Sequence, residues 1–267
     1  ISVAATPSRR PRHGRTARYL GPNQVSSPVR RFSADYLSDT RSGMWADSRE
    51  ALSDLELGAR DSVLDVGCGT GELTRVCREE SHADVVGLDA DADLLASVPG
   101  PTVRGDATRL PFEDDSFDLV LCQALLINLS DPVDAVREFR RVASDRVAAV
   151  EPDNGAVTVQ STVESESRLA RRARRFFLDG VGTDVELGAD AADVFAAAGL
   201  DVVSTRRYDQ ELTVEPPYGE RAVRAARRKA TGEGLATDRE TILAGDTTPA
   251  EYDALREQWR EMGRTVV

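Results

Sequence analysis

The chain holds a single lysine, Lys229, among 34 basic residues, and only two histidines, His13 and His82. Catalysis built on paired histidines, or a histidine-rich metal centre, has little material here. Cysteine is scarce as well: Cys68, Cys77 and Cys122 are an odd set with no CxxC pair. That excludes a disulfide framework and fits reduced thiols in a cytoplasmic protein. Aromatic residues make up 5% of the chain. No apolar run approaches the roughly 20 residues of a membrane helix, so membrane insertion is not expected. The first residues carry arginines but no apolar signal-peptide core, so export is not expected either.

Acid is what the chain has in excess. Asp and Glu number 46 against 34 bases, for a net charge of −12. The balance is uneven. Residues 1–31 carry seven arginines and no acid, which leaves −19 on the rest. An acidic, lysine-poor surface is suited to concentrated salt, where self-repulsion is screened, and the composition reads as halophilic. Such a body repels nucleic acid at low salt, which makes nucleic acid an unfavoured partner. The chain has 267 residues, 40% of them hydrophobic, enough for one large domain or one domain with appendages.

Residues 1–28 are rich in Arg, Ser and Pro without hydrophobic periodicity, and read as a disordered basic arm. Residues 29–57 turn helical and read as an N-terminal lid. Short β-branched runs then alternate with helical patterns. Strands are expected at Ser62–Val66, Asp84–Asp89, Thr102–Gly105, Phe117–Cys122 and Arg146–Glu151, with helices at Gly71–Glu80, Asp91–Ser97 and Pro132–Ala143 between them. Asp131 followed by Pro132 is a helix start, and Val133, Val136, Phe139 and Val142 form its apolar stripe. Two final strands, Asp201–Tyr208 and Glu211–Val214, read as a hairpin. The fold class that follows is α/β: a doubly wound, mostly parallel, seven-stranded sheet with helices on both faces, Rossmann-like in plan. It spans about residues 58–215, with a helix near 160–180 expected to cover an acceptor site. Residues 216–267 read as a helical appendage, whose last helix runs from Pro249 to Met262. Thr248 and Glu251 form its capping box and Gly263 its stop.

Chemistry concentrates at Val63–Gly71, an apolar strand that runs into a glycine-rich turn and a helix. Glycines let the backbone turn tightly and let a ligand lie against bare main chain. The helix N-terminus offers N–H groups to an anion. The spacing is not that of a dinucleotide loop, GxGxxG. The third glycine comes one place early, and Glu72 stands where a dinucleotide loop needs glycine. Asp89, 18 residues after Gly71, ends the second strand, where a carboxylate can accept hydrogen bonds from both hydroxyls of a ribose.

The set Asp65, Gly67, Gly69 and Gly71, spaced DxGxGxG, resembles the loop of class I S-adenosylmethionine-dependent methyltransferases. The segment Leu110-Pro111-Phe112, Asp115 and Ser116–Val120 resembles the small-molecule branch, which includes the quinone-biosynthesis enzymes. The resemblance covers about residues 30–155. It implies S-adenosylmethionine as cofactor, with Asp65, Gly67, Cys68, Gly69 and Gly71 in its loop. It implies Asp89 and its neighbour Ala90 at the ribose, Asp106 and Ala107 at the adenine, and Gln123 beside the methionine moiety. It further implies that the lid supplies Tyr36, Arg41 and Trp45, with Arg41 paired to the methionyl carboxylate. For those three, core packing and a solvated arginine remain the other reading. One departure stands out: the glycine pair usual before the fifth strand is absent from Arg141–Arg146.

Methyl transfer is an in-line displacement, and alignment of the reacting groups can supply about 7–11 kcal/mol. A base is required only where the acceptor loses a proton. His82 lies in a polar turn; Glu151, at the end of the fifth strand, is the better catalytic candidate, to hold a cationic acceptor or take a proton, or else is a solvated rim acid. Asp118 reads as a tether of its strand, and Cys68 as a small filler. The arginine run Arg168–Arg175 reads as a solvated face or an anion site. An RNA-modifying methyltransferase and a non-catalytic cofactor-binding protein remain open beside a small-molecule methyltransferase.

Overall fold

The computed structural model describes residues 2–7, 19, 21, 32–34, 37, 45, 49–209 and 211–266. Tyr36, Arg41 and His13 lie outside them. Seven strands form one sheet: β1 (Ser2–Pro7), β2 (Ser62–Val66), β3 (Asp84–Asp89), β4 (Thr102–Arg104), β5 (Phe117–Gln123), β6 (Ala143–Val150) and β7 (Leu200–Arg206). Their order is β4-β3-β2-β5-β6-β1-β7. Strands β2 to β6 run parallel, and β1 is antiparallel to both neighbours. The α-helices, in chain order, are α1 (Glu72–Glu80), α2 (Ala92–Leu95), α3 (Pro132–Val142), α4 (Glu164–Gly180), α5 (Ala191–Ala197), α6 (Glu220–Thr231), α7 (Glu233–Thr237), α8 (Arg239–Ala244) and α9 (Pro249–Val266). Among the described residues no helix is long and apolar enough to cross a membrane.

The chain divides into two compact units. One comprises Ile1–Asp153 and Glu186–Tyr208, the other Asn154–Val185 and Asp209–Val267. In the first, successive strand residues turn to opposite faces. Leu64, Val66, Val120 and Cys122 enter one core, with Val136, Phe139 and Val142 of α3 and Phe195 of α5. Val63, Leu119 and Leu121 enter the other, with Leu73, Val76 and Cys77 of α1 and with Ala51, Leu52 and Leu55 of a 3₁₀ stretch, Arg49–Leu55. Helices therefore cover both faces, as the strand–helix alternation requires. Asp131 caps α3 by accepting the Asp134 N–H at 3.1 Å, with Pro132 in the first turn. Asp118 tethers its strand as expected, accepting the N–H groups of Asp61 at 2.7 Å and Ser62 at 3.1 Å.

Three expectations need correction. Residues 2–7 of the supposed arm form β1, with Ala5 fully buried. Their small residues carry no alternation strong enough to signal a strand, yet they fit the slot between β6 and β7. The expected second hairpin strand, Glu211–Val214, is not formed: its Leu212 and Val214 are 80% and 65% exposed, and the place beside β7 belongs to β1. Strand β6 begins directly after α3 at Ala143, three residues earlier than expected, because the turn that a glycine pair would provide is missing.

The second unit is helical and draws on two distant segments, so the cover helix and the appendage are one body. Leu169 and Phe176 of α4 share a core with Leu235 of α7, Ile242 of α8, and Tyr252, Leu255, Trp259 and Met262 of α9. The capping box at α9 is present, with Thr248 N–H donating to Glu251 Oε2 at 2.9 Å and Glu251 N–H to Thr248 Oγ1 at 3.3 Å. Gly263 does not end that helix. A Cβ there would lie 2.1 Å from the Ala230 carbonyl oxygen, so glycine is needed for α6 and α9 to cross closely.

Candidate functional site

Every strand-end residue singled out in the sequence falls on one edge of the parallel sheet. Strand β2 is flanked by β3 on one side and β5 on the other, so the chain reverses its direction of winding there. Crevices at such reversals, outside the carboxyl ends of the strands, are where open α/β sheets bind ligands. The glycine loop follows β2, Asp89 ends β3, Asp106 follows β4, Gln123 ends β5 and Glu151 follows β6.

Positive φ angles shape the loop: 70° at Gly67, 57° at Gly69 and 86° at Gly71. Side chains other than glycine rarely adopt them. The loop is anchored to the end of β3. Gly67 and Cys68 donate their N–H groups to the Leu88 carbonyl at 2.7 and 3.0 Å, and Gly69 N–H donates to Asp89 Oδ2 at 2.8 Å. Asp89 Oδ1 accepts from Asp91 N–H at 2.9 Å. Burial pushes the Asp89 carboxyl above its usual range, against the pull of the Asp91 and Gly69 amides. A carboxylate can accept about four hydrogen bonds, so capacity remains for ligand hydroxyls. Ala90 beside it is half-buried.

Asp65 is buried at 1% exposure and accepts the Thr74 hydroxyl at 2.6 Å. It ties β2 to α1 from below the loop's surface, an orienting role. Cys68 is buried too, and burial, then the charges of Asp65 and Asp89, raise its thiol well above the ordinary range. It fills space beside Gly87, where a Cβ would stand 3.0 Å from its Sγ. Asp106 Oδ1 accepts the N–H and hydroxyl of Thr108 at 2.9 and 2.7 Å, which shapes the turn that buries Ala107. Gln123 is 4% exposed, and its Oε1 accepts the indole N–H of Trp45 at 3.2 Å. Trp45, itself buried, thus brings the N-terminal segment to the end of β5. Its carbonyl accepts from Arg49 Nε at 3.3 Å, and Arg49 pairs with Glu79 and Glu80 of α1.

Glu151 is not a solvated rim acid. It is 1% exposed, and its carboxylate accepts backbone N–H groups from Leu125, Leu126 and Ile127 at 3.0, 3.0 and 3.4 Å. Burial pushes its carboxyl upward, partly offset by those amides. His82 sits exposed in the turn before β3, at the opposite edge of the sheet from the glycine loop.

Two contributors escaped the sequence reading. Leu125 packs on Gly67, where a Cβ would stand 2.8 Å from its Cδ1. Glu138 and Arg141, one turn apart on α3, pair at 2.8 and 2.9 Å and hold the loop between β4 and β5. Arg141 donates to the carbonyls of Leu110 and Phe112 at 3.0 and 2.8 Å, and Glu138 accepts Leu110 N–H at 2.8 Å. Their spacing was visible in the sequence; their loop partners, about 30 residues away, were not. Among the described residues no group of three His, Cys, Asp or Glu is placed to hold a metal ion.

Fold and site together define a Rossmann-like α/β protein with a nucleotide-type crevice at the switch point. Comparison with known proteins sharpens the class. Residues 64–150 match the family model described as a methyltransferase domain. The chain is similar to demethylmenaquinone methyltransferases: 34% identical over 107 residues to that of Lactiplantibacillus plantarum, 35% of this chain and 45% of the relative. It is 40% identical over 97 residues to that of a Mycobacterium species, 35% of this chain and 42% of the relative. The chain thus spans under half the length of these curated relatives. Among solved structures, a chain from the complex of the Haloferax volcanii Trm112 methyltransferase activator with a methyltransferase shares the fold. Its TM-score is 0.52 at 20% identity, covering 68% of this chain and 79% of that one. The central segment therefore resembles the class I S-adenosylmethionine-dependent methyltransferases, in the branch of the quinone-biosynthesis enzymes.

Proposed function

We propose that the protein transfers a methyl group from S-adenosylmethionine to a small-molecule acceptor. The observation that carries this reading is the DxGxGxG loop fastened to Asp89, a strand-end carboxylate with acceptor capacity left over. The group fits the residues present. Glycine backbone lines the turn, no side chain of Gly67, Gly69 or Gly71 projects into it, and the acid at β3 suits a ribose rather than a pyrophosphate.

S-adenosylmethionine supplies an activated methyl on a sulfonium. In the reading proposed here the chain's own residues bind and orient. Asp89 and Ala90 hold the ribose end, Asp106 and Ala107 border the adenine, and Gln123, backed by Trp45, borders the methionine end. Tyr36 and Arg41 belong to the same lid as Trp45 and are proposed to close over that end. A strong base is not built into this edge: His82 is at the other edge and Glu151 faces backbone amides. Catalysis then rests on alignment, which suits acceptors that are already nucleophilic.

The acceptor class we favour is a quinone-like aromatic ring, supported by the names of the matched relatives. Buried, unpaired cysteines support a reducing, cytoplasmic setting, and the acid excess supports a halophilic one. The test is transfer of labelled methyl to a demethylated quinone against transfer to cell RNA, both at high salt. Label in the quinone is expected; label in RNA alone overturns the acceptor class.

A further inference from the structure

Burying a carboxylate costs free energy unless donors surround it. Around Glu151 the donors are backbone. Oε1 takes the N–H groups of Leu125 and Leu126, both at 3.0 Å, and the Cys122 thiol at 3.6 Å, while Oε2 takes Ile127 N–H at 3.4 Å. These amides open the 3₁₀ turn Leu126–Asn128, and the first N–H groups of any helical turn have no carbonyl partner within it.

The residue before them is strained. Ala124 has φ 48°, a left-handed conformation that costs a non-glycine residue about 1–3 kcal/mol. It persists because both its polar groups are used: its N–H donates to the Val150 carbonyl at 2.9 Å, and its carbonyl accepts Asn128 Nδ2 at 2.8 Å. The last residues of β6, Val150 and Glu151, therefore fasten the turn that leaves β5. That turn carries Leu125, the side chain in contact with Gly67 of the glycine loop.

We propose that Glu151 is a positioning residue for the cofactor: its carboxylate fixes the 124–127 turn, and Leu125 on that turn holds the glycine loop in its binding shape. The proposal rests on the S-adenosylmethionine reading above and assigns Glu151 no contact with the ligand. An acceptor-only group is required, because every donor around it points inward. Glutamine keeps the volume but places an NH₂ against backbone N–H groups.

The experiment compares wild type, Glu151→Gln and Leu125→Ala. Three quantities are read: the Kd for S-adenosylmethionine by calorimetry, hydrogen exchange of the 125–127 amides in the ligand-free protein, and kcat at saturating cofactor with labelled methyl. Glu151→Gln is expected to raise Kd at least tenfold and to lose amide protection at 125–127, with kcat within about threefold of wild type. Leu125→Ala is expected to raise Kd likewise while the amides stay protected, and it carries the test should Glu151→Gln fail to fold. Unchanged Kd in both variants overturns the proposal. Unchanged Kd with a hundredfold loss of kcat in Glu151→Gln also overturns it, in favour of a base. Absence of binding by wild type would instead sink the S-adenosylmethionine reading itself.

Discussion

Replacing Asp89 with alanine separates ligand binding from folding. The side chain has two jobs: it accepts Gly69 and Asp91 N–H groups within the chain, and it is proposed to accept two ribose hydroxyls. A hydrogen bond to a charged group contributes about 1.5–3 kcal/mol. Losing one ribose contact is therefore worth about tenfold in affinity, and losing both can reach a thousandfold or more. Stability follows a different sum. Burial holds the Asp89 carboxyl above its ordinary range. A raised carboxyl favours the fold below its unfolded pKa, and that advantage is lost as pH rises through the folded value. At neutral pH the charge is a net cost, and alanine relieves it while leaving two N–H groups short of an acceptor. These opposing effects should leave the unfolding free energy within about 2 kcal/mol of wild type. Calorimetric titration and urea unfolding of the same preparations read the two numbers. Unchanged affinity in a folded Asp89→Ala protein refutes the ribose assignment.

Other outcomes follow from the same structure. Phe139→Ala, at a fully buried position on α3, should cost about 3–5 kcal/mol in urea unfolding. Arg141→Ala should cost about 1–3 kcal/mol and loosen the Leu110–Phe112 loop, seen as faster amide exchange at Leu110, whose N–H partner Glu138 loses its own brace. His82→Ala should leave methyl transfer unchanged, since the residue is exposed at the far edge; a large loss would place the site elsewhere. In the helical unit, burial pushes Glu166 up, but Lys229 and Ser161 outweigh it and hold the carboxyl below its usual value. A lowered carboxyl stabilises above the unfolded pKa and loses that contribution as pH falls through the folded one. Lys229→Ala should thus lower the melting temperature at pH 7 and have little effect near pH 3.

What was legible in the sequence is what neighbouring residues decide. The strand running into the glycine turn, the proline-led start of α3 and the Thr248–Glu251 box are local patterns, and the sheet with helices on both faces follows from alternating strands and helices. What was not legible depends on partners far along the chain. Nothing in Ser2–Pro7 announces a strand until β6 and β7 stand on either side of it. Glu211–Val214 alternates like a strand yet is exposed, because its slot is filled. Gly263 looks like a helix stop and is instead the point where α9 crosses α6. Glu151 looked like a rim acid because a carboxylate's surroundings cannot be read from its own sequence; its partners lie about 25 residues upstream. The helical unit draws its core from segments on either side of α5 and β7, which no local pattern reveals.

The central claim is that this switch-point crevice is built for S-adenosylmethionine and not for a dinucleotide. Titrating the purified protein with S-adenosylmethionine and with NAD by calorimetry tests it most directly. The account predicts saturable binding of S-adenosylmethionine, weakened at least tenfold in Asp89→Ala, and no measurable binding of NAD. Tight NAD binding without S-adenosylmethionine binding would contradict it.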